Sequence, residues 1–347
     1  MRTLFLLLLV PVVLGGCASL GREALPLADS RVARVWPAPP ETARISMLRV
    51  LSGPGDILPE RTKFQRMLES VTGEQQVYIG LKIPAGVAAD GEGLIYIADP
   101  AARLVHRYDF KNREVDYLSQ GDGEHMVSPV GVALDRNGNC YVTDSVLAKV
   151  FKFGPNDHFL GFLGNGKVAF QRPAGIAVTD AGKKYVVDVL AHKLIVFDQN
   201  DNYLGDFPAA AYQKELALPI SVAVDHQGFV YVTDASNFDI RVFDDAGRLV
   251  RTIGQIGDTP GSFARPKGVA IDSDGHVYTV DANFDNFQIF DQQGRFLMYV
   301  GKTGHKPGEF YLPNGIFIDQ KDRIYVSDSY NRRIQIFQYL KQHDTAN

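Results

Sequence analysis

The sequence predicts an all-β protein, a six-bladed β-propeller of four-stranded antiparallel blades, on three observations. A proline followed by a short apolar run recurs at Pro84, Pro129, Pro173, Pro219, Pro266 and Pro313, with steps of 45, 44, 46, 47 and 47 residues. Each proline opens the same order of β-like runs: one such as GVALD at 131–135, a tight turn, a Tyr-x-x-Asp run, then a third run ending in an aromatic. The last unit stops short of its fourth run, whereas RISMLRVLSGPGD at 44–56 resembles GRLVRTIGQIGD at 247–258 and precedes the first proline. A strand from the start of the chain therefore completes the last blade. Closing the ring this way satisfies two sheet edges that would otherwise invite aggregation.

Taken in chain order, residues 1–16 carry one positive charge at Arg2 and an apolar run from Leu4 to Leu14. That run is well short of the ~20 residues a membrane-spanning helix needs, and it reads as the core of an export signal. Leu14, Gly15, Gly16 and Cys17 resemble the lipobox of bacterial lipoproteins. The resemblance implies cleavage before Cys17, acylation of its thiol, and a membrane contact made through the lipid alone. Ala18 stands where some bacterial retention signals carry Asp, which favours the outer over the inner membrane in a Gram-negative host. Residues 17–42 are rich in Pro and Ala, lack a period and read as a tether. The propeller is expected over 43–340, followed by a tail at 341–347. Within it, Phe64, Met67, Leu68 and Val71 fall at i, i+3, i+4 and i+7, which predicts a short amphipathic helix near 61–73 covering one end of the ring.

The hairpin turns have independent support. Gly93, Gly138, Gly182, Gly228, Gly275 and Asp322 separate first from second runs, and Asn112, Asp157, Asp201, Gly247 and Gly294 separate third from fourth. These residue types tolerate positive φ. Tyr96, Tyr141, Tyr185, Tyr231, Tyr278 and Tyr325 recur in the second run and read as packing between blades. Cys140 occupies the place held elsewhere by Ile95, Val230, Val277 and Ile324, and reads as a small buried apolar residue.

The motifs P-x-G-[VI]-A-[VLI]-D, Y-[VI]-x-D and [IVL]-x-[VI]-F resemble NHL repeats. The connector G-x-x-G-x-x-x-G-x-F-x-x-P stands in full at Gly254, Gly257, Gly261, Phe263 and Pro266, and again at Gly301, Gly304, Gly308, Phe310 and Pro313. The resemblance covers residues 44–340 and implies a six-bladed propeller. It implies no single function, since such propellers serve as sensors, RNA- or protein-binding platforms and, in one group, lyases. The amidating-lyase members place zinc-binding histidines just after the repeat proline. Here that position holds Ala85, Val130, Ala174, Ile220, Lys267 and Asn314.

No catalytic residue and no cofactor is expected from this pattern. The eight histidines fall mostly in turns and outer connectors at non-equivalent places and read as surface residues. The ring Asp99, Asp144, Asp188, Asp234, Asp281 and Asp328 has the oxygens to bind calcium. A residue present in every blade, however, more readily does what every blade needs, such as accepting amide hydrogen bonds in the following turn. Function belongs where the units differ. The loop after Tyr-x-x-Asp shares the proline face and carries Val146, Leu147, Leu190, Phe238, Phe284, Tyr330 and Arg332. With Val130, Ile220, Lys267 and Asn314 at the channel mouth, these residues form the candidate binding face, an apolar rim of the kind that marks partner sites.

The formal charge of −4 becomes −5 when residues 1–16, with Arg2 alone, are removed. A mildly acidic exported chain argues against nucleic acid as partner. The expectation is a lipid-anchored envelope scaffold that binds a protein or small ligand. The alternative is a metal-dependent lyase or hydrolase with zinc or calcium in the channel.

Overall fold

The structure is a computed structural model that describes residues 24–60, 67, 71, 77–164 and 168–341. Five antiparallel sheets each contain four consecutive strands joined by hairpins. Blade 2 is representative, with Pro129–Leu134 innermost, then Cys140–Asp144, Lys149–Phe153 and Phe159–Phe162. Blade 6 contributes Ile316–Ile318, Arg323–Asp328 and Arg333–Tyr339 from the end of the chain, and Ile45–Leu51 from its beginning pairs beside the last of these. Six blades of four strands close into a ring.

Closure is a packing event as well as a hydrogen-bonded one. Along Ile45–Leu51 the buried side chains are Arg49 and the apolar Ile45, Met47 and Leu51, the last three facing the cores on either side of blade 6. A register shift between Met47 and Arg49 leaves the guanidinium of Arg49 free to donate to the carbonyls of Leu27 and Pro26, both at 2.9 Å. This exposes a difference from the expected tether. Residues 25–36 lie against the ring: Val35–Trp36 adds a fifth strand outside Ile45–Leu51, and the Trp36 ring sits 5.6 Å from that of Phe337. A Pro-rich stretch with no period is held by one indole and by backbone pairing, neither of which leaves a repeating pattern.

The turns take the expected backbone. The five glycines between first and second strands have φ between +78° and +117°, and Asp322 has +57°. In blade 1 the left-handed residue of the outer turn is Arg113, one past Asn112, because Asn112 instead donates to the Asp109 carboxylate. The predicted helix near 61–73 lies outside the described residues, except that Met67 and Val71 are helical and exposed.

The inner strands explain the glycine of the P-x-G motif. Gly86 N donates to Val130 O at 2.9 Å and Gly268 N to Asn314 O at 3.0 Å, so neighbouring blades bond backbone to backbone at the axis. A Cβ on Gly86 would stand 2.6 Å from Val130 O, and one on Gly131 or Gly315 would collide with Ala174 O or Ala85 O. Only blade 4 departs, where Ser221 Oγ accepts from Val269 N at 3.4 Å.

The tyrosines are at most 2% exposed and lie between blades. Four donate to the aspartate ending their own first run: Tyr141 to Asp135, Tyr231 to Asp225, Tyr278 to Asp272 and Tyr325 to Asp319, at 2.9–3.1 Å. Cys140 is fully buried and burial pushes its thiol up, as suits an inert core residue.

Candidate functional site

The inner strands of all six blades surround a channel of about 1280 Å³. Pairing of the repeat proline with the repeat aspartate, as in Pro129 with Asp144 and Pro266 with Asp281, sets the post-aspartate loops on the proline side of the ring.

The aspartates do structural work on that side. Asp144 is fully buried; one oxygen accepts from Val127 N at 2.7 Å and Ser128 N at 2.9 Å, the other from Val146 N at 3.1 Å and Leu147 N at 3.0 Å. Asp281 repeats the pattern with Ala264, Arg265, Asn283 and Phe284. These two carboxylates thus tie the connector entering each blade to the loop leaving its second strand, whereas Asp188, among the described residues, holds only the connector amides of Gln171 and Arg172. In blade 1, burial pushes the Asp99 carboxyl up, but His106 and the amides of Lys82, Ile83 and Ala102 outweigh it, leaving it below the ordinary range. Burial wins at Asp328, which is held above that range despite Tyr311 N, Asn331 and Arg333.

The donors that calcium or zinc would need are not gathered. Among the described residues, no group of three or more His, Cys, Asp or Glu side chains converges as a metal site requires. His106 corrects the view of the histidines as surface residues: it is fully buried on the third strand of blade 1, with Nε2 3.5 Å from Asp99. It pairs across with Ile97 just as Arg241 does with Val232 and Gln335 with Val326, a position that in other blades also serves the connector.

The candidate face divides in two. Val130, Ile220, Lys267 and Asn314 come together with Ala85 and Ala174 as one ring around the channel mouth. Outside it, Val146, Leu190 and Tyr330 are more than half exposed and Arg332 is exposed. Leu147 and Phe238 instead pack against the cores of their blades. Phe284 is half-buried and lines a separate cleft of about 320 Å³ with Thr259, Tyr299 and Lys302. Phe238 lies four residues past its aspartate, where every blade carries a non-glycine residue with φ between +50° and +60°. Cys17 lies outside the described residues.

Sequence reasoning missed the connector residues that lead into the prolines. Immediately before Pro84, Pro173 and Pro266, Ile83 is 39% exposed and Arg172 and Arg265 are exposed. Two residues before Pro313, Tyr311 is 41% exposed and stacks edge-on to Tyr330 at 5.7 Å, extending the rim. The variability of these positions from unit to unit was the available signal. At the channel mouth, burial and the nearby charge of Arg265 lower the pKa of Lys267, with Asp281 partly opposing.

The other mouth is acidic and clasped. Arg136 pairs with Asp180 at 2.8 Å, Lys321 with Glu92 at 2.7 Å, and Ser273 donates to Asp322 at 2.8 Å, each between neighbouring blades. His276 bonds Asp272 at 2.8 Å; this bond raises the imidazole's pKa against the opposing effect of burial. A histidine raised in the folded state stabilises fully below its unfolded value of ~6.5 and loses that contribution as pH rises through the folded value. His276→Gln is therefore expected to narrow the stability gap between pH 6 and pH 8, read by urea denaturation at the two values.

Among known proteins, a family model described as a 6-bladed beta-propeller matches residues 215–285 and 273–342. No curated protein matches the chain significantly. Among solved structures, an auxiliary nutrient binding protein from Bacteroides thetaiotaomicron is similar at TM-score 0.60 and 15% identity, over 76% of this chain and 70% of that one. Virginiamycin B lyase from Staphylococcus aureus is similar at TM-score 0.54 and 12% identity, over 75% of this chain and 96% of that one. At such identities the likeness is one of fold, and it agrees with the blades described above: this chain is a six-bladed β-propeller.

Proposed function

We propose that this chain is a lipid-anchored binding module of the bacterial cell envelope, built on NHL-type repeats and acting without catalysis. Its proline-side face receives a partner protein or small ligand. The observation that carries the reading is a division of labour among positions. Residues that recur in every blade are consumed in holding the blades, whereas the channel ring and the exposed Val146, Leu190 and Tyr330 differ from blade to blade. Concave sites lined by apolar groups with a few polar ones are where ligands bind. A ring position without histidine speaks against the amidating-lyase chemistry of the NHL family. The nutrient-binding neighbour supports a binding role at the level of shared architecture. Lipid anchoring rests on the lipobox-like run ending at Cys17.

The test places a photo-crosslinking residue at Leu190 or Tyr330 and, as control, at Gln227 beside the other mouth, in cells producing the full chain. A discrete adduct is expected from the first two positions only, and Cys17→Ser is expected to move the protein out of the membrane fraction. Equal adducts from all three positions, or none, would sink the binding face; an unchanged membrane fraction would sink the anchor.

A further inference from the structure

We propose that the proline-side channel mouth is a site for a small amphiphilic carboxylate. Its charged end would lie at Lys267 and Asn314, and its apolar body along Ala85, Val130, Ala174 and Ile220. The proposal rests on the reading of this face as the binding face and names the chemistry of what enters it.

The six ring positions are not a random mixture. Blades 1 to 4 supply a continuous apolar arc, and blades 5 and 6 supply the two polar members side by side. The bond from Gly268 N to Asn314 O pins those two inner strands together immediately beside Lys267. Arg265, two residues before Lys267, adds a second cation on the same side, close enough for its charge to weigh on Lys267.

Lys267 is half-buried, and among the described residues its ammonium has neither an ion-pair nor a hydrogen-bond partner. Several cations elsewhere in the blades are matched, as Lys149 is with Glu124, Lys152 with Asp201 at 2.6 Å, Lys193 with Asp206 at 2.6 Å and Arg333 with Asp328 at 2.7 Å. An ammonium drawn partly out of water with no counter-ion is held at a cost, and a carboxylate brought to it forms a charge-assisted bond that removes that cost.

The far mouth makes the site directional. Asp180, Asp225, Asp272, Asp319 and Asp322 crowd that end of the lining and outnumber the cations set against them, Arg136 on Asp180, Arg323 on Asp319 and Lys341 on Asp322. An anion is attracted at one end of the channel and repelled at the other. The channel volume of about 1280 Å³ exceeds the roughly 300–1,000 Å³ of ordinary small-molecule pockets, so a chain of several carbons fits without displacing a blade.

The experiment titrates the purified protein with decanoate, decyltrimethylammonium and acetate by calorimetry, each below its aggregation threshold. Decanoate is expected to bind, with acetate and the cation at least about tenfold weaker. Lys267→Met is expected to weaken decanoate by roughly tenfold and Lys267→Arg to retain it, with Ile220→Glu as a second route to loss should Lys267→Met fail to fold. Equal affinity for decanoate and the cation, or undiminished binding by folded Lys267→Met, would overturn the proposal. So would the absence of decanoate binding. If that failure comes with crosslinks at Leu190 and Tyr330 intact, the binding face stands and only its ligand chemistry falls; loss of both removes the face itself.

Discussion

Leu51→Asp is expected to open the ring and leave the protein largely unfolded. Leu51 is fully buried in the core shared by blades 6 and 1, on the strand that joins the two ends of the chain. Losing its burial costs about 2–3 kcal/mol, and setting a carboxylate in its place adds several more. The sum approaches the whole stability of a domain, roughly 5–15 kcal/mol. The consequence is not local, because an unzipped strand bares the edges of Ile45–Leu51 and Arg333–Tyr339 together. Circular dichroism and size-exclusion chromatography should show lost β signal and soluble aggregate. Ser46→Asp, at a half-buried polar position opposite Gln338 on the same strand, should cost far less, about 0.5 kcal/mol. A native-like Leu51→Asp protein would mean that the ring is closed by something other than this strand.

The strand could be read from sequence because closure leaves a countable deficit. Six prolines in register and five complete units specify a missing strand, and the likeness of 44–56 to 247–258 supplies it. The glycine turns were equally legible, since positive φ selects residue type whatever lies nearby. What escaped were features set by tertiary contact. Trp36 docks on Phe337 across nearly the whole length of the chain, and nothing in RVWPAPPET has a period to betray it.

Part of the candidate face was legible for the same reason and part was not. Val130, Ile220, Lys267 and Asn314 share one place in a repeat whose geometry is fixed, so assigning them to the channel needed only the register. Phe238 and Phe284 sit in loops, where the direction of a side chain depends on local backbone. Phe238 occupies the left-handed position, and its ring packs against the core that holds Ile240 and Phe263. Val146, Leu190 and Tyr330, each two residues past its aspartate, point outward in three different blades. Position within the loop, rather than hydrophobicity, decided which residues reach solvent.

The aspartate ring carries the second large effect, and it separates a structural from a metal-binding role. Asp144→Ala removes an acceptor from four backbone amides at once, two in the connector and two in the loop. A buried donor left unpaired costs about 1–3 kcal/mol, and the loop amides regain water more easily than those of the connector, so a total near 4 kcal/mol is expected. Asp144→Asn keeps the shape and one good acceptor, but turns an NH₂ toward two of the amides, for about half that loss. Denaturant titration gives the free energies, and hydrogen exchange should show faster exchange at Val127 and Ser128 than at distant strands. Added calcium should leave both differences unchanged, because the oxygens are already committed to backbone donors. A loss of stability seen only when calcium is present would instead make Asp144 a ligand and return the channel to metal chemistry.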